Sequence, residues 1–308
     1  YKFVSNIYTF LLKENKEKKP VVVYGHKEIY MKATFLACSF AGITYVPIDI
    51  NVPKERVDLI LKQVKPSLIV GDLKSNYKNI NKNEIYDIMN KDNYQEIDNI
   101  FMKPEDIYYI IFTSGSTGTP KGVQLTHDNY IAQCEAAPVV LGLMQPGDIW
   151  LTVLPIWHSF ERAFLYMVVM LKGGFAYSKP VASIMIQDMN LIHPQWMNGV
   201  PRLWESVAQG LFREIKKQDK ISQFIFNNSV ILGKLYYKAK ERVCGLVCHY
   251  KKYPRFFDVI YGIIPFILLW PFFRIVDLLV FKSIRAKFGG KMRAAISGGG
   301  ALQPGTED

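Results

Sequence analysis

The alternation between residues 21 and 71 constrains the fold more than any other feature of the chain. "VVVY" (Val21–Tyr24) has the composition of a short buried strand, and a helical segment follows to about Ala41, with Gly42 as its stop. "TYVPID" is extended, and Pro53 suits the first turn of a second helix. Val57, Ile60, Leu61 and Val64 then recur at the i, i+3, i+4, i+7 spacing of one helical face. "SLIV" (Ser67–Val70) closes the unit as a third strand. This βαβαβ order implies parallel strands covered by helices. The expected class is α/β.

The stretch "YYIIFTSGSTGTPKGV" (Tyr108–Val123) carries the chemistry. A strand-like run enters a series of glycines and hydroxyls, and a helix is expected to start at Thr126, an N-cap with Asp128 in the first turn. Glycines let backbone approach a ligand, and successive N–H groups form an anion-binding concavity. Hydroxyls and a lysine add donors suited to phosphate oxygens. The cradle is not of the Walker type: five residues after Gly115 stands Pro120, and Lys121 is followed by Gly122. A flexible Ser/Gly linker would not follow an apolar run and end in Pro-Lys-Gly.

Three later segments repeat a strand-and-corner order: "DIWLTVLPIWHSFERAFLYMVVMLKGG" (Asp148–Gly174), "HPQWMNGVPRLWESVAQGLF" and "KMRAAISGGGALQP". The first two continue into helices, and the last ends in three glycines. Loops at the carboxyl ends of parallel strands are where open α/β sheets bind ligands. Residues 73–103 are polar and lack a clear period, and are expected to be a surface excursion.

The charge balance is +11, from 38 basic and 27 acidic side chains. The basic residues are scattered and no nucleic-acid motif accompanies them, so nucleic acid is not the expected partner. An anionic membrane surface, or acidic ligands, fits at least as well. The four cysteines show no disulfide framework, which suggests a reducing compartment, and a signal peptide is not expected. Cys244, Cys248 and His249 have helical spacing but no evident fourth metal ligand; buried free thiols are the expectation.

"FTSGSTGTPKGV" resembles the phosphate loop of adenylate-forming enzymes, the superfamily of acyl-CoA synthetases, peptide-synthetase adenylation domains and luciferases. The resemblance covers nearly the whole chain. It implies a large N-terminal domain of the acyl-adenylate-forming fold, with parallel sheets flanked by helices and the small C-terminal domain absent. Residues 1–125 would form a first βα subdomain ending in the phosphate loop. Residues 126–308 would form an acyl-pocket and adenine-loop subdomain. The implied chemistry is attack of a carboxylate on the α-phosphorus of ATP, giving an acyl-adenylate and pyrophosphate, followed by transfer to a thiol.

Two families share the motifs. "VVVYGHKEIYMKATFLACSFAGITYVPIDINVPKERVDLI" resembles D-alanine–carrier-protein ligases. From about Leu125 onward, "LPIWHSFERAF", "NGVPRLWE" and "MRAAISGGGALQP" resemble long-chain fatty acyl-CoA or acyl-carrier-protein synthetases. The acyl pocket of the superfamily lies mainly after the phosphate loop, so a long-chain fatty acid is the expected substrate and D-alanine the alternative. A non-catalytic nucleotide-binding or membrane-surface remnant is the alternative of another class.

The resemblance assigns the nucleotide to Thr113, Ser114, Gly115, Ser116, Thr117, Gly118, Thr119 and Lys121, and to the adenine loop Gly298, Gly299, Gly300 and Ala301. Lys121 and His158 are the implied catalytic groups. Thr113 would help place Mg²⁺, which binds through few protein oxygens plus phosphate. Trp157, His158 and Gly199 would border the substrate. Glu161 could hold a substrate amine, as in the D-alanine ligases, or form a buried structural pair with Arg162; the second role is preferred. The implied cofactors are ATP, Mg²⁺ and either CoA or a phosphopantetheinyl carrier protein.

"FFDVIYGIIPFILLWPFFRIVDLLVF" (Phe256–Phe281) is an apolar insert whose uncharged core, Val259–Phe273, is short for a membrane span and interrupted by Pro265 and Pro271. It reads as an interfacial segment or as half of a buried helix pair. A cytoplasmic protein, peripheral on the cytoplasmic membrane face, is the corresponding expectation. The family's Tyr-Gly-x-Thr-Glu segment, ribose-binding Asp and C-terminal lysine are not among these residues. The 308 residues alone are therefore expected to have little adenylating activity and to expose apolar surface.

Overall fold

The computed structural model describes residues 1–308 apart from 93, 99, 115–117, 248, 250–253 and 304–308. Two compact units emerge, 1–144 with 155–171, and 145–154 with 172–308. The first unit opens with α1 (Lys2–Glu14), β1 (Val21–Gly25), α2 (Ile29–Ala41), β2 (Tyr45–Asp49), α3 (Lys54–Val64) and β3 (Leu68–Val70). It continues with β4 (Asn79–Ile80), α4 (Lys82–Asn90), β5 (Ile107–Ser114), β6 (Pro120–Thr126) and α5 (His127–Val140). The chain enters the second unit for β7 (Ile149–Thr152), returns to the first for α6 (Ser159–Met170), and stays in the second from β8 (Gly174–Tyr177) onward.

The first unit's sheet runs β4-β3-β1-β2-β5-β6, parallel except for the β5–β6 pair. Alternation along its strands explains why both faces are covered. Val21, Val23, Leu68 and Val70 pack with α1, α2 and α4, through residues such as Leu11, Phe35 and Met89. Val22, Val46, Ile48 and Ile69 point the other way and meet Val57, Ile60 and Leu61 of α3. The expected βαβαβ unit is thus present, with Gly42 closing α2 in the left-handed conformation (φ 64°).

Residues 73–103 are less of an excursion than their composition suggests. Asn81 caps α4 by accepting from the Glu84 N–H while the Glu84 carboxylate accepts from the Asn81 N–H, and Ile85 and Met89 are buried in the core. Tyr86 and Ile88 pack partly buried beside them, and this single turn of apolar side chains, too short a pattern to register in the sequence, docks the nine-residue helix.

The second unit contains α7 (Ala182–Ile192), β9 (Trp196–Gly199), α8 (Pro201–Lys216), α9 (Lys220–Cys244), α10 (Arg255–Val276), a π-helical stretch (Asp277–Phe281), α11 (Lys282–Lys287) and β10 (Ala294–Ser297). Its sheet is parallel, in the order β10-β9-β7-β8. Trp150 and Trp196 are register partners with rings stacked at 5.8 Å. Their indole N–H groups donate to Asn198 and Asp148, so the tryptophans fill the core without stranding a donor.

Candidate active site

The phosphate-loop stretch forms a hairpin. β5 and β6 pair antiparallel from Ile107↔Thr126 to Ser114↔Pro120, so Pro-Lys-Gly lies on a strand where the sequence suggested a loop leading to a helix. The reason is visible in the burial of β6, which is largely exposed and has no apolar alternation to announce it. Thr113 and Lys121 are directly opposite, which directs both side chains to one face of the ribbon, and both are exposed. Gly122 is required by its neighbour: a Cβ there would lie 2.9 Å from Ile110 and 3.1 Å from the Phe112 ring. Gly118 needs its freedom for a different reason, a φ of +77° with open space around it. Gly115, Ser116 and Thr117 lie outside the described residues, as does the Ser114 side chain; Thr119 is exposed. Thr126 caps α5 in a reciprocal pair with Asn129, as expected of an N-cap at that position.

The Trp157-His158 corner stands at the start of α6, in the same unit as the hairpin. It borders a cavity of about 320 Å³ that also takes Asp49 from the end of β2, Phe112 from β5, and Arg56 from α3. His158 caps α6, and its Nδ1 accepts from the Phe160 N–H at 3.3 Å, which leaves Nε2 as the protonated, donating nitrogen. Burial lowers its pKa, favouring the neutral ring. Two residues absent from the sequence-based site support the corner. The His26 ring packs edge-on against Trp157 at 5.4 Å, and its Nδ1 lies 2.8 Å from the Asp49 carboxylate. Nothing local in the sequence signals this group, because it joins the ends of β1 and β2 to α6.

Glu161 and Arg162 are both buried, but they do not act as a simple pair. The Arg162 guanidinium donates to the Tyr45 hydroxyl at 2.7 Å and lies over the Phe35 ring at 4.5 Å, within a cluster that includes Tyr108, Tyr130 and Tyr166. Glu161 is fully buried and does not border the cavity; its charge acts on Lys27 and Lys32 of the α2 side.

The remaining predicted residues belong to the second unit. Gly199 ends β9 under the Trp204 indole, where a Cβ would come within 3.0 Å. In the glycine loop after β10, Gly299 adopts φ +82°, whereas a Cβ on Gly300 would make only an ordinary 3.6 Å contact with Pro201. Gly298 donates its N–H to the Gly199 carbonyl, and Ala301 is exposed. The cysteine expectation is corrected: Cys244 is exposed at the end of α9, Cys248 lies outside the described residues, and His249 pairs with Asp258 at 2.7 Å. No cluster of three or more His, Cys, Asp or Glu suited to a metal occurs among the described residues.

An α/β sheet with the β5–β6 hairpin and a histidine corner at its strand ends has the layout in which open α/β sheets bind ligands. The chain matches the AMP-binding enzyme family over residues 4–308 and belongs to it. It is 35% identical over 198 residues to a D-alanine–D-alanyl carrier protein ligase of Staphylococcus haemolyticus, covering 64% of this chain and 39% of that protein. Fatty acyl-CoA synthetase A of Dictyostelium discoideum is 26% identical over 201 residues, 65% of this chain and 26% of the other. Among solved structures, ATP-bound MatB from Rhodopseudomonas palustris shares the fold with a TM-score of 0.59 at 19% identity, over 68% of this chain and 44% of that one. The chain spans less than half the length of these curated relatives.

Proposed function

We propose that the chain carries the ATP- and acyl-binding part of an AMP-forming acid–thiol ligase acting on a long-chain fatty acid. A substrate carboxylate oxygen would bond to the α-phosphorus as the bond to pyrophosphate breaks. A thiol of CoA or a carrier protein would then bond through sulfur to the acyl carbon of the acyl-adenylate, losing its proton as the bond to the phosphate oxygen breaks and AMP departs. Lys121 and the loop hydroxyls would hold the departing pyrophosphate, and His158 Nε2–H would donate to charge developing between carboxylate and α-phosphate. The glycine loop around Gly299 is assigned to adenine. Thr113 presents one hydroxyl, and no carboxylate cage occurs among the described residues, which suits a Mg²⁺ carried in by phosphates; the ion would supply charge neutralisation there.

The observation that carries the fatty-acid reading is the position of Glu161. An amine anchor must border the substrate, and this carboxylate is fully buried, away from the corner cavity. Asp49, which does border the cavity, is already engaged by His26 and Asn51. The D-alanine reading is favoured instead by the closer sequence match to a carrier-protein ligase. Carboxylate-dependent ATP–pyrophosphate exchange on the full-length protein separates the two. Exchange with palmitate and not D-alanine is expected; exchange with D-alanine alone would overturn the reading. Exchange with neither, across a panel of acids and with ATP still bound, would indicate a non-catalytic binding protein.

A further inference from the structure

The apolar insert is more continuous than its sequence indicates. Despite Pro265 and Pro271, residues 255–287 form one unbroken helical run, with a membrane-compatible window of which only 6% is buried. A core helix would be mostly buried, and a leader would lie near the N-terminus; this segment is neither. Its contact strip against α9 is narrow. Phe266 and Phe273 stack on Tyr236, at 5.4 and 4.0 Å between ring centroids, and a Cβ on Gly262 would come within 2.9 Å of the Ala239 carbonyl. The opposite side exposes Ile260, Ile264, Ile267, Leu268, Ile275 and Leu279, which cover roughly a third of the helix circumference at 100° per residue.

We infer that the α9–α10 hairpin seats the protein on an anionic phospholipid bilayer, with α10 lying in one leaflet parallel to the surface. Charge selects the partner. Between residues 255 and 287 there are five basic and two acidic side chains, and the basic ones bracket the apolar stretch, Arg255 before it and Arg274, Lys282, Arg285 and Lys287 after it. Both acids have local partners, Asp258 in a hydrogen bond with His249 and Asp277 in an ion pair with Arg285. The face therefore offers apolar surface flanked by positive charge, the pattern of an interfacial helix on anionic lipid. A spanning hairpin is disfavoured because α9 carries Asn227, Asn228, Lys234, Lys238, Lys240 and Glu241 along its length. Trp270, half exposed on α10, suits the headgroup boundary. The inference is independent of which carboxylate the enzyme activates.

The test is cosedimentation of the full-length protein with vesicles of three parts phosphatidylcholine to one part phosphatidylglycerol, using phosphatidylcholine with brominated acyl chains. Binding at low salt is expected, with fluorescence quenching that is largely lost in Trp270→Phe. The double variant Ile264→Asn, Leu268→Asn alters exposed positions only, and should keep its unfolding temperature while partitioning at least about tenfold more weakly. A wild-type protein that stays in the supernatant would overturn the inference. So would equal quenching in Trp270→Phe, or undiminished binding by the double variant. Loss in that variant of coelution with an acidic carrier protein, without any vesicle binding by the wild type, would reassign the face to a protein partner.

Discussion

Replacing Tyr45 by Phe removes one oxygen from the centre of the first unit. Its hydroxyl accepts the Arg162 Nη2 hydrogen bond at 2.7 Å, and both side chains are buried, so water cannot substitute. Burial raises the Tyr45 pKa and keeps it a neutral phenol, making this a charged donor on a neutral acceptor. Hydrogen bonds to charged groups contribute about 1.5–3 kcal/mol. The expected loss is about 2 kcal/mol, or about 4–8 °C in unfolding temperature for a unit of this size. Tyr109→Phe, which breaks the neutral Tyr109–Tyr130 hydroxyl pair at 2.6 Å, should cost about half as much. Thermal unfolding followed by circular dichroism reads both. The decisive control is an Arg162→Met background, in which Tyr45→Phe should cost less than about half as much, because the charged donor is gone and only the Tyr108 hydroxyl still bonds Tyr45. Equal cost in both backgrounds would refute the reasoning and assign the loss to packing.

His158→Ala should lower kcat about 10²–10³-fold, as loss of a single charge-stabilising donor does, and should cost about 0.5–2 kcal/mol of stability through the lost α6 cap. Because burial lowers the His158 pKa, the wild-type rate should show no His158-dependent change from about pH 6.5 upward, the neutral-ring range; a rise and fall centred above it would contradict a neutral donor. Lys32 is pushed down to about 8, chiefly by burial and then by the charge of Arg162. The fold therefore carries the full penalty of its ammonium below that pH and is relieved as pH rises through the unfolded value near ~10.4. Wild-type stability should rise relative to Lys32→Met between about pH 8 and 10, as measured by denaturant midpoints; a flat difference would contradict the burial. Gly299→Ala should destabilise by about 1–2 kcal/mol through its positive φ, whereas Gly300→Ala should leave stability unchanged and raise KM for ATP if adenine packs on that loop.

The parts of the fold legible in the sequence were those with a complete local signal. The β1–β3 unit announced itself because its strands are buried on both faces and its helices end at Gly42 or carry a four-residue apolar stripe. The string from Phe112 to Val123 was sufficient for the family, since glycine, hydroxyl and lysine positions are all set by the loop itself. β6 was missed because an exposed ribbon strand needs no buried face. α10 was expected to break at Pro265 and Pro271, but packing along Tyr236 and Gly262 sustains it. The corner partners His26 and Asp49 could not be read at all, since their meeting with Trp157 depends on three separated segments. The role of Glu161 stayed open for the same reason: its surroundings come from α2, more than a hundred residues earlier.

The most direct test of the central claim is a single-turnover incubation of the full-length protein with palmitate and ATP labelled at the α-phosphate, without any thiol acceptor. The account predicts that label accumulates as palmitoyl-adenylate in proportion to enzyme, with release of pyrophosphate, and that His158→Ala slows its formation. Label appearing in ADP, or ATP turnover with no palmitoyl-adenylate, would contradict it.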